Sequence, residues 1–321
     1  MRDLLIRGRL MSEPTSTPLA SSPAPDELAA WHPGPAWLFC PADRPDRFAK
    51  ALASADVVIV DLEDAVALER KAEARNALRT LARSEAFDRD RTVVRINSTD
   101  SPEHLTDLAL INELALTRVM LAKSEHPDGA RALPCHVIAL IETARGVEWA
   151  GAIAEVPNVI ALMWGADDLV AGMGGTASRK TDGTYRDIAR YARSRALVAA
   201  KTCGLLAVDA VHMDIADQDG LAAECADAVA IGFDATAAIH PSQVAVIRAS
   251  YRPSNERLDW ARRLLAHVGN DRGVTTFEGR MVDGPIYKQA ERILRLAHLT
   301  ETSPTSPGTA PSPAPNQEAA L

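Results

Sequence analysis

The chain has 321 residues, 47% of them hydrophobic and 24% charged, with a formal net charge of -8 and a sequence pI near 5.5. That is enough apolar material for one large core, and the acidic balance argues against a general nucleic-acid binder, which needs concentrated Lys and Arg to neutralise phosphates. No run approaches the roughly 18 to 20 continuous apolar residues of a membrane span, and Cys40, Cys135, Cys203 and Cys225 are too scattered for a zinc cluster or a disulfide framework, so a cytoplasmic protein with no membrane and no nucleic-acid partner is expected.

Residues 1–34 carry arginines and small residues, but Pro and Ser interrupt every apolar run, unlike a secretory signal. They read as a disordered leader, with a mitochondrial-type transit peptide as the alternative. Over residues 35–250, short β-prone runs alternate with longer amphipathic stretches. The runs are AWLFC (from Ala36), VVIVD (from Val57), TVVRIN (from Thr92), RVMLAK (from Arg118), HVIALIE (from His136), VIALMWG (from Val159), LLAVDA (from Leu205) and DAVAIG (from Asp227). The intervening segments, such as RFAKALAS, ALERKAEARNALRTLARS and YRDIARYARSRALVAAKTCG, space their apolar residues as helices do. Continuous apolar strands that alternate with helices imply a parallel sheet covered by helices, and this number of units suggests an α/β fold closed as a (β/α)8 TIM barrel; a doubly wound open sheet is the runner-up.

Residues 251–300 form a C-terminal helical extension: a helix near Glu256 to Val268, a Gly-containing turn region, and a last helix from around Pro285. It exceeds what closes a barrel, and packing on a neighbouring subunit would suit it. Residues 301–321 are dominated by Pro, Ser, Thr and Ala, which cannot bury enough surface to offset ordering entropy, and read as a disordered tail.

Polar residues stand at the C-terminal ends of nearly all the runs: Asp61 and Glu63, Arg95, Lys123, Glu142, Asp168, Asp209 and His240. Barrel enzymes assemble their active sites from strand ends. Glu142 and Asp168 would meet at one mouth as a Mg²⁺ pair with Asp167 in support, since magnesium takes one or two carboxylates and keeps water and substrate oxygens; capping of helix N-termini is the competing reading. Arg95 could grip a substrate carboxylate or an enolate oxygen, or simply hold a salt bridge. Glu63 and Asp64 could orient Arg95 or metal-bound water. Arg44, Arg47 and Lys50 flank a strand-to-helix turn where phosphates would find cations and backbone N–H groups together, although charges beside a turn are usually only solvated.

Taken in order, FCPADRPDRFAKAL, VDLEDAV, VVRIN, MLAKSE, ALIETARGV, WGADDL, YARS, GFDATAAIHPSQ and MVDGP resemble the citrate lyase β-subunit-like and malyl-CoA lyase family, within the HpcH/HpaI aldolase and phosphoenolpyruvate/pyruvate-domain superfamily. The resemblance covers about Pro35 to Ala297. It implies a Mg²⁺-dependent carbon–carbon lyase that cleaves or forms a small 3-hydroxyacyl-CoA thioester such as malyl-, citramalyl- or citryl-CoA. Glu142 and Asp168 are then the implied metal ligands, with Arg95 on the reacting portion of the substrate. Phe39, Arg44 and Lys50, together with Ile239 and His240, match positions that hold substrate and CoA. Asp283 matches an aspartate delivered from a neighbouring subunit for proton transfer, so a homotrimer or homohexamer is implied. The chain departs from the family pattern at Ala42, Ala122, Ala235 and Thr236, which puts the CoA-side contacts in question. The alternatives are a malyl-CoA thioesterase on the same site, a pyruvate-type aldolase acting on free acids, and a non-catalytic CoA-binding subunit.

Overall fold

The computed structural model describes Trp31, residues 33–269 and residues 272–302, so the expected tail and all but the end of the expected leader lie outside the described residues. Eight parallel strands close into a barrel in sequence order. The chain runs β1 (Ala36–Pro41), α1 (Phe48–Ser54), β2 (Val57–Asp61), α2 (Lys71–Ala82), β3 (Thr92–Ile96), α3 (His104–Leu114), β4 (Arg118–Leu121), α4 (Pro127–Arg131), β5 (His136–Ile141), α5 (Ala144–Ala154), β6 (Val159–Trp164), α6 (Ala166–Gly172), α7 (Asp187–Thr202), β7 (Leu206–Asp209), α8 (Gln218–Ile231), β8 (Ala235–Ala238) and α9 (Pro241–Tyr251). The expected (β/α)8 TIM barrel is what forms, and β8 pairs back onto β1 through Leu38 and Ala238.

The strands are apolar on both faces because both faces are covered. Trp37, Ile59, Val93, Met120, Ile138 and Val208 fill the inside of the barrel. Their alternates Leu38, Val58, Val94, Leu121, Ala139 and Ala207 belong to the larger cluster under the helices. Trp31 covers one end, its ring 5.5 Å from that of Trp37 and the Arg118 guanidinium 4.7 Å over it.

One expected strand is corrected. DAVAIG, read as the eighth run, is the last part of α8, which ends where Gly232 takes a φ of +116° that favours a residue without Cβ. The true β8 is ATAA, too rich in small residues to read as a strand; pairing with β1 on one side and β7 on the other makes it one.

Beyond the barrel come α10 (Asn255–Val268), an antiparallel hairpin of β9 (Thr275–Phe277) and β10 (Arg280–Val282), and α11 (Gly284–Thr302). These elements hold a separate core of Ala261, Leu264, Val268, Val282, Tyr287, Ala290 and Ile293. Arg292 of α11 ties them to the barrel, reaching Asp234 at 3.1 Å and the Phe233 carbonyl at 2.5 Å. Both partners precede β8, so the anchor sits at the N-terminal end of the strands.

Candidate active site

Side chains of a strand alternate, so the inward register that places Ile59 and Val93 in the barrel also places Asp61 and Arg95 inward, one step nearer the C-terminal mouth. The two residues are directly paired in register. Arg95 Nε and Nη2 donate to the two oxygens of Asp61 at 2.7 and 2.5 Å, and Nη1 lies 3.1 Å from Glu63. The guanidinium stacks on Phe39, 4.8 Å from the ring centre. Although burial opposes its charge, Asp61 outweighs burial and holds the Arg95 pKa above the ordinary arginine range.

The VDLEDAV loop that carries Glu63 is fixed from beneath. Lys71, a buried lysine of α2, donates to the carbonyls of Leu62 (2.8 Å) and Glu63 (2.7 Å) and to Asn97 (3.0 Å). Asn97 in turn donates to Asp107, which also accepts from Arg75 at 2.7 Å. Each buried charge here has its partners, the condition under which burial is tolerable. Burial raises the pKa of Glu63, with Arg95 and Lys123 opposing; Asp64 is also penalised by burial, but the Lys123 ammonium beside it holds its pKa below the usual range.

Glu142 follows β5 and is 2% exposed. It forms no ion pair among the described residues and accepts from the main-chain N–H of Lys123 at 3.0 Å. Its pKa is pushed up to about 8, first by burial and then by the charge of Asp168. Gly165, at the end of β6, leaves room for it: a Cβ there would lie 2.8 Å from Glu142 Oε2 and 2.9 Å from Glu142 Cβ. Lys123 has a φ of +47°, and its ammonium reaches Glu63, Asp64 at 3.0 Å and Asp168 at 3.6 Å. By strand parity with Leu121 it would point toward the helices; the left-handed residue sends it over the mouth instead.

Among the described residues no group of three or more His, Cys, Asp or Glu forms a cage for a metal. The donors nevertheless fit magnesium, which takes few protein ligands, all oxygen. A buried carboxyl that forms no ion pair among the described residues, set against a second carboxyl at the same mouth, is the arrangement that a divalent ion would relieve.

The remaining sequence candidates divide. Asp167 turns to Ser178, accepting its hydroxyl hydrogen bond at 2.6 Å, which ties the α6–α7 loop to the helix bearing Asp168. Arg44 is half exposed and paired with Asp46 at 3.2 Å, and Lys50 is exposed on α1. Ile239 and His240 follow β8, and the His240 ring caps α9 by accepting from Ser242 N at 3.2 Å. Asp283 stands between β10 and α11, and among the described residues no hydrogen bond or ion pair joins its side chain to the strand-end residues. Asp209 shares the outward parity of Ala207: it accepts from Trp164 Nε1 at 2.6 Å and from Arg193, and lines a cavity of about 850 Å³ between α7 and α8, outside the mouth. Asp61 and Lys123 were legible as strand-end charges without a role; Lys71, Asn97 and Gly165 gave no signal beyond lying in or beside a motif. Ala235 and Thr236 are buried in β8, with Thr236 bonded to Tyr251 at 2.9 Å, so these departures alter packing beneath α9 and not a surface turn.

The sequence profile of the HpcH/HpaI aldolase/citrate lyase family matches residues 36–241. The citrate lyase subunit beta-like protein of Mycobacterium tuberculosis is 54% identical over 265 residues, covering 82% of this chain and 96% of that protein. The mitochondrial citramalyl-CoA lyase of Mus musculus is 35% identical over 274 residues, covering 75% and 79%. A crystal structure of protein CitE from Mycobacterium tuberculosis, in complex with magnesium, acetoacetate and coenzyme A, superposes with a TM-score of 0.78 at 53% identity and covers 83% of this chain and 98% of that one.

Proposed function

This chain belongs to the HpcH/HpaI aldolase/citrate lyase family, and from that premise we propose that it is a Mg²⁺-dependent carbon–carbon lyase that divides a small 3-hydroxyacyl-CoA thioester, of the malyl-, citramalyl- or citryl-CoA class, into a 2-oxo acid and an acyl-CoA. The observation that carries this reading is the barrel mouth itself, where a buried carboxyl pushed up to about 8 faces a second carboxylate beside a locked guanidinium. Related enzymes supply the substrate class: one relative is a citramalyl-CoA lyase, and the CitE crystal structure holds magnesium and coenzyme A.

Glu142 and Asp168 would hold the metal. When bound there, magnesium supplies a Lewis acid that polarises the substrate oxygen destined to become the carbonyl of the 2-oxo acid. As the substrate hydroxyl gives up its proton to solvent, the carbon–carbon bond breaks and leaves its electron pair on the thioester fragment as an enolate. Arg95, with Nη1 and Nη2 each keeping one N–H free of Asp61 and Glu63, offers a charged edge to the developing negative charge. Glu63 orients that edge from the other side. A proton must then reach the enolate carbon, and Asp283 from a neighbouring copy is the group we assign to deliver it. That assignment makes a homotrimer or homohexamer the working unit, with residues 251–300 as the segment that crosses. Phe39 on β1, Arg44 and Lys50 after it, and Ile239 and His240 after β8 are assigned to binding of the substrate and CoA. Among the described residues no helix is long and apolar enough to cross a membrane, and we place the enzyme in the cytoplasm.

The test is a panel of malyl-, citramalyl- and citryl-CoA incubated with purified protein, with and without Mg²⁺, and products identified by mass spectrometry. Metal-dependent release of a 2-oxo acid with an acyl-CoA is expected. Hydroxy acid with free CoA would make it a thioesterase, cleavage of free acids would make it a pyruvate-type aldolase, and turnover unaffected by metal removal would overturn the site.

A further inference from the structure

Asp61 is fully buried and every lone-pair direction of its carboxylate is used. It accepts from Arg95 Nε (2.7 Å) and Nη2 (2.5 Å), from Glu63 N (2.8 Å) and from Ala65 N (3.1 Å). A carboxylate with four donors on it has nothing left to offer a substrate or a metal ion, so its part in the site is not that of a base or a ligand. It joins two things the chemistry needs: the guanidinium of β3, and the turn after β2 that presents Glu63. The in-register pairing of Asp61 with Arg95 brings the two side chains up the same inner face of adjacent strands, where a planar fork and a planar carboxylate meet in bidentate fashion.

The rotational freedom of an arginine is what such an arrangement removes. An arginine free to turn about its four side-chain bonds would meet a developing charge in many poses, and misplacement of about 1 Å can cost about 10²-fold in rate. With Nε and one N–H of Nη2 committed to Asp61, Nη1 directed to Glu63 and one face on Phe39, a single pose survives. We infer that Asp61 is a positioning residue for the lyase reaction, acting on substrate only through the guanidinium it fixes; the inference rests on the reading of Arg95 as the group that stabilises the enolate.

The experiment compares Asp61→Asn, Arg95→Gln and the double variant for kcat, KM, thermal midpoint and Mg²⁺ affinity by calorimetry. Arg95→Gln should lower kcat about 10² to 10³-fold. Asp61→Asn should lower kcat at least about 30-fold with KM and the Mg²⁺ dissociation constant within about threefold of the wild type, since Glu142 and Asp168 are untouched. Placed in the Arg95→Gln background, it should change the residual rate by less than about threefold, because its route to the substrate is already gone. Asp61→Glu keeps the charge, shifts the fork by one methylene, and should show the same kcat loss if the Asn variant folds poorly. Multiplying losses in the double variant, a parallel loss of Mg²⁺ affinity, or wild-type turnover by Asp61→Asn or Asp61→Glu would overturn the inference while leaving the role of Arg95 intact. Wild-type turnover by Arg95→Gln would overturn both.

Discussion

A carboxyl group lifted on folding from 4.5 to about 8, as burial lifts that of Glu142, ties stability to pH in a definite direction. Below 4.5 it is protonated in both states and its contribution is fully present; above that the unfolded chain ionises first, and the contribution is lost as pH rises through the folded value near 8. Metal-free wild type should therefore lose stability between pH 5 and 8 relative to Glu142→Gln, and Mg²⁺ should restore it in the wild type alone. Thermal midpoints across that range check this, and a gap independent of pH would refute it. The same variant should lose about 10³-fold in turnover, because a neutral amide is a poor magnesium ligand. Calorimetry below pH 8 should also find a proton released when Mg²⁺ binds the wild type, fading at higher pH. Gly165 permits Glu142 to stand where it does, so Gly165→Ala, whose methyl would meet Glu142 at 2.8 Å, should cost about 1 to 3 kcal/mol and weaken Mg²⁺ binding; an unchanged unfolding curve would show that the site yields easily.

At the scale of elements, legibility followed burial and packing. VVIVD is buried at all five positions, which is why its strand could be read without its neighbours. ATAA could not, because nothing in four small residues distinguishes β8 from a turn until β1 and β7 supply partners on either side. The chemistry divided in the same way. Parity along β2 and β3 is enough to turn Asp61 and Arg95 inward, but Lys123 departs from parity through a left-handed residue that no pattern announces. The Ile-His-Pro-Ser-Gln motif conceals a further element-scale device. Gln243, 1% exposed, accepts from the N–H groups of Ile239 (2.9 Å) and His240 (3.2 Å) and donates to the His212 carbonyl (2.8 Å), joining the ends of β7 and β8 under α9. Gln243→Leu keeps the volume and removes the partners of three backbone groups, of which only the His212 carbonyl bond is fully buried, so it should cost about 1 to 2 kcal/mol in urea unfolding while Mg²⁺ affinity stays near that of the wild type. A loss under about 0.5 kcal/mol would mean that water replaces the amide.

For the whole molecule, the second core of α10, the β9–β10 hairpin and α11 decides how an aspartate so far along the chain could serve a barrel mouth. That core is separate from the barrel interior; α11 meets its own barrel through Leu296, in the cluster under the helices, and through the polar tie of Arg292 to Asp234 at the N-terminal end of the strands. If Asp283 serves the mouth of a neighbouring copy, one chain carrying Arg95→Gln and another carrying Asp283→Asn should each be inactive alone. Coexpressed in equal amounts, they should recover activity, because an Asp283→Asn barrel with intact Arg95 can receive Asp283 from an Arg95→Gln chain. Random mixing in a closed symmetric ring produces that pairing at about a quarter of the sites, so about a quarter of the wild-type rate is expected from mixed oligomers. If each tail instead served its own barrel, every site would contain one defect whatever the mixture, and no activity would return.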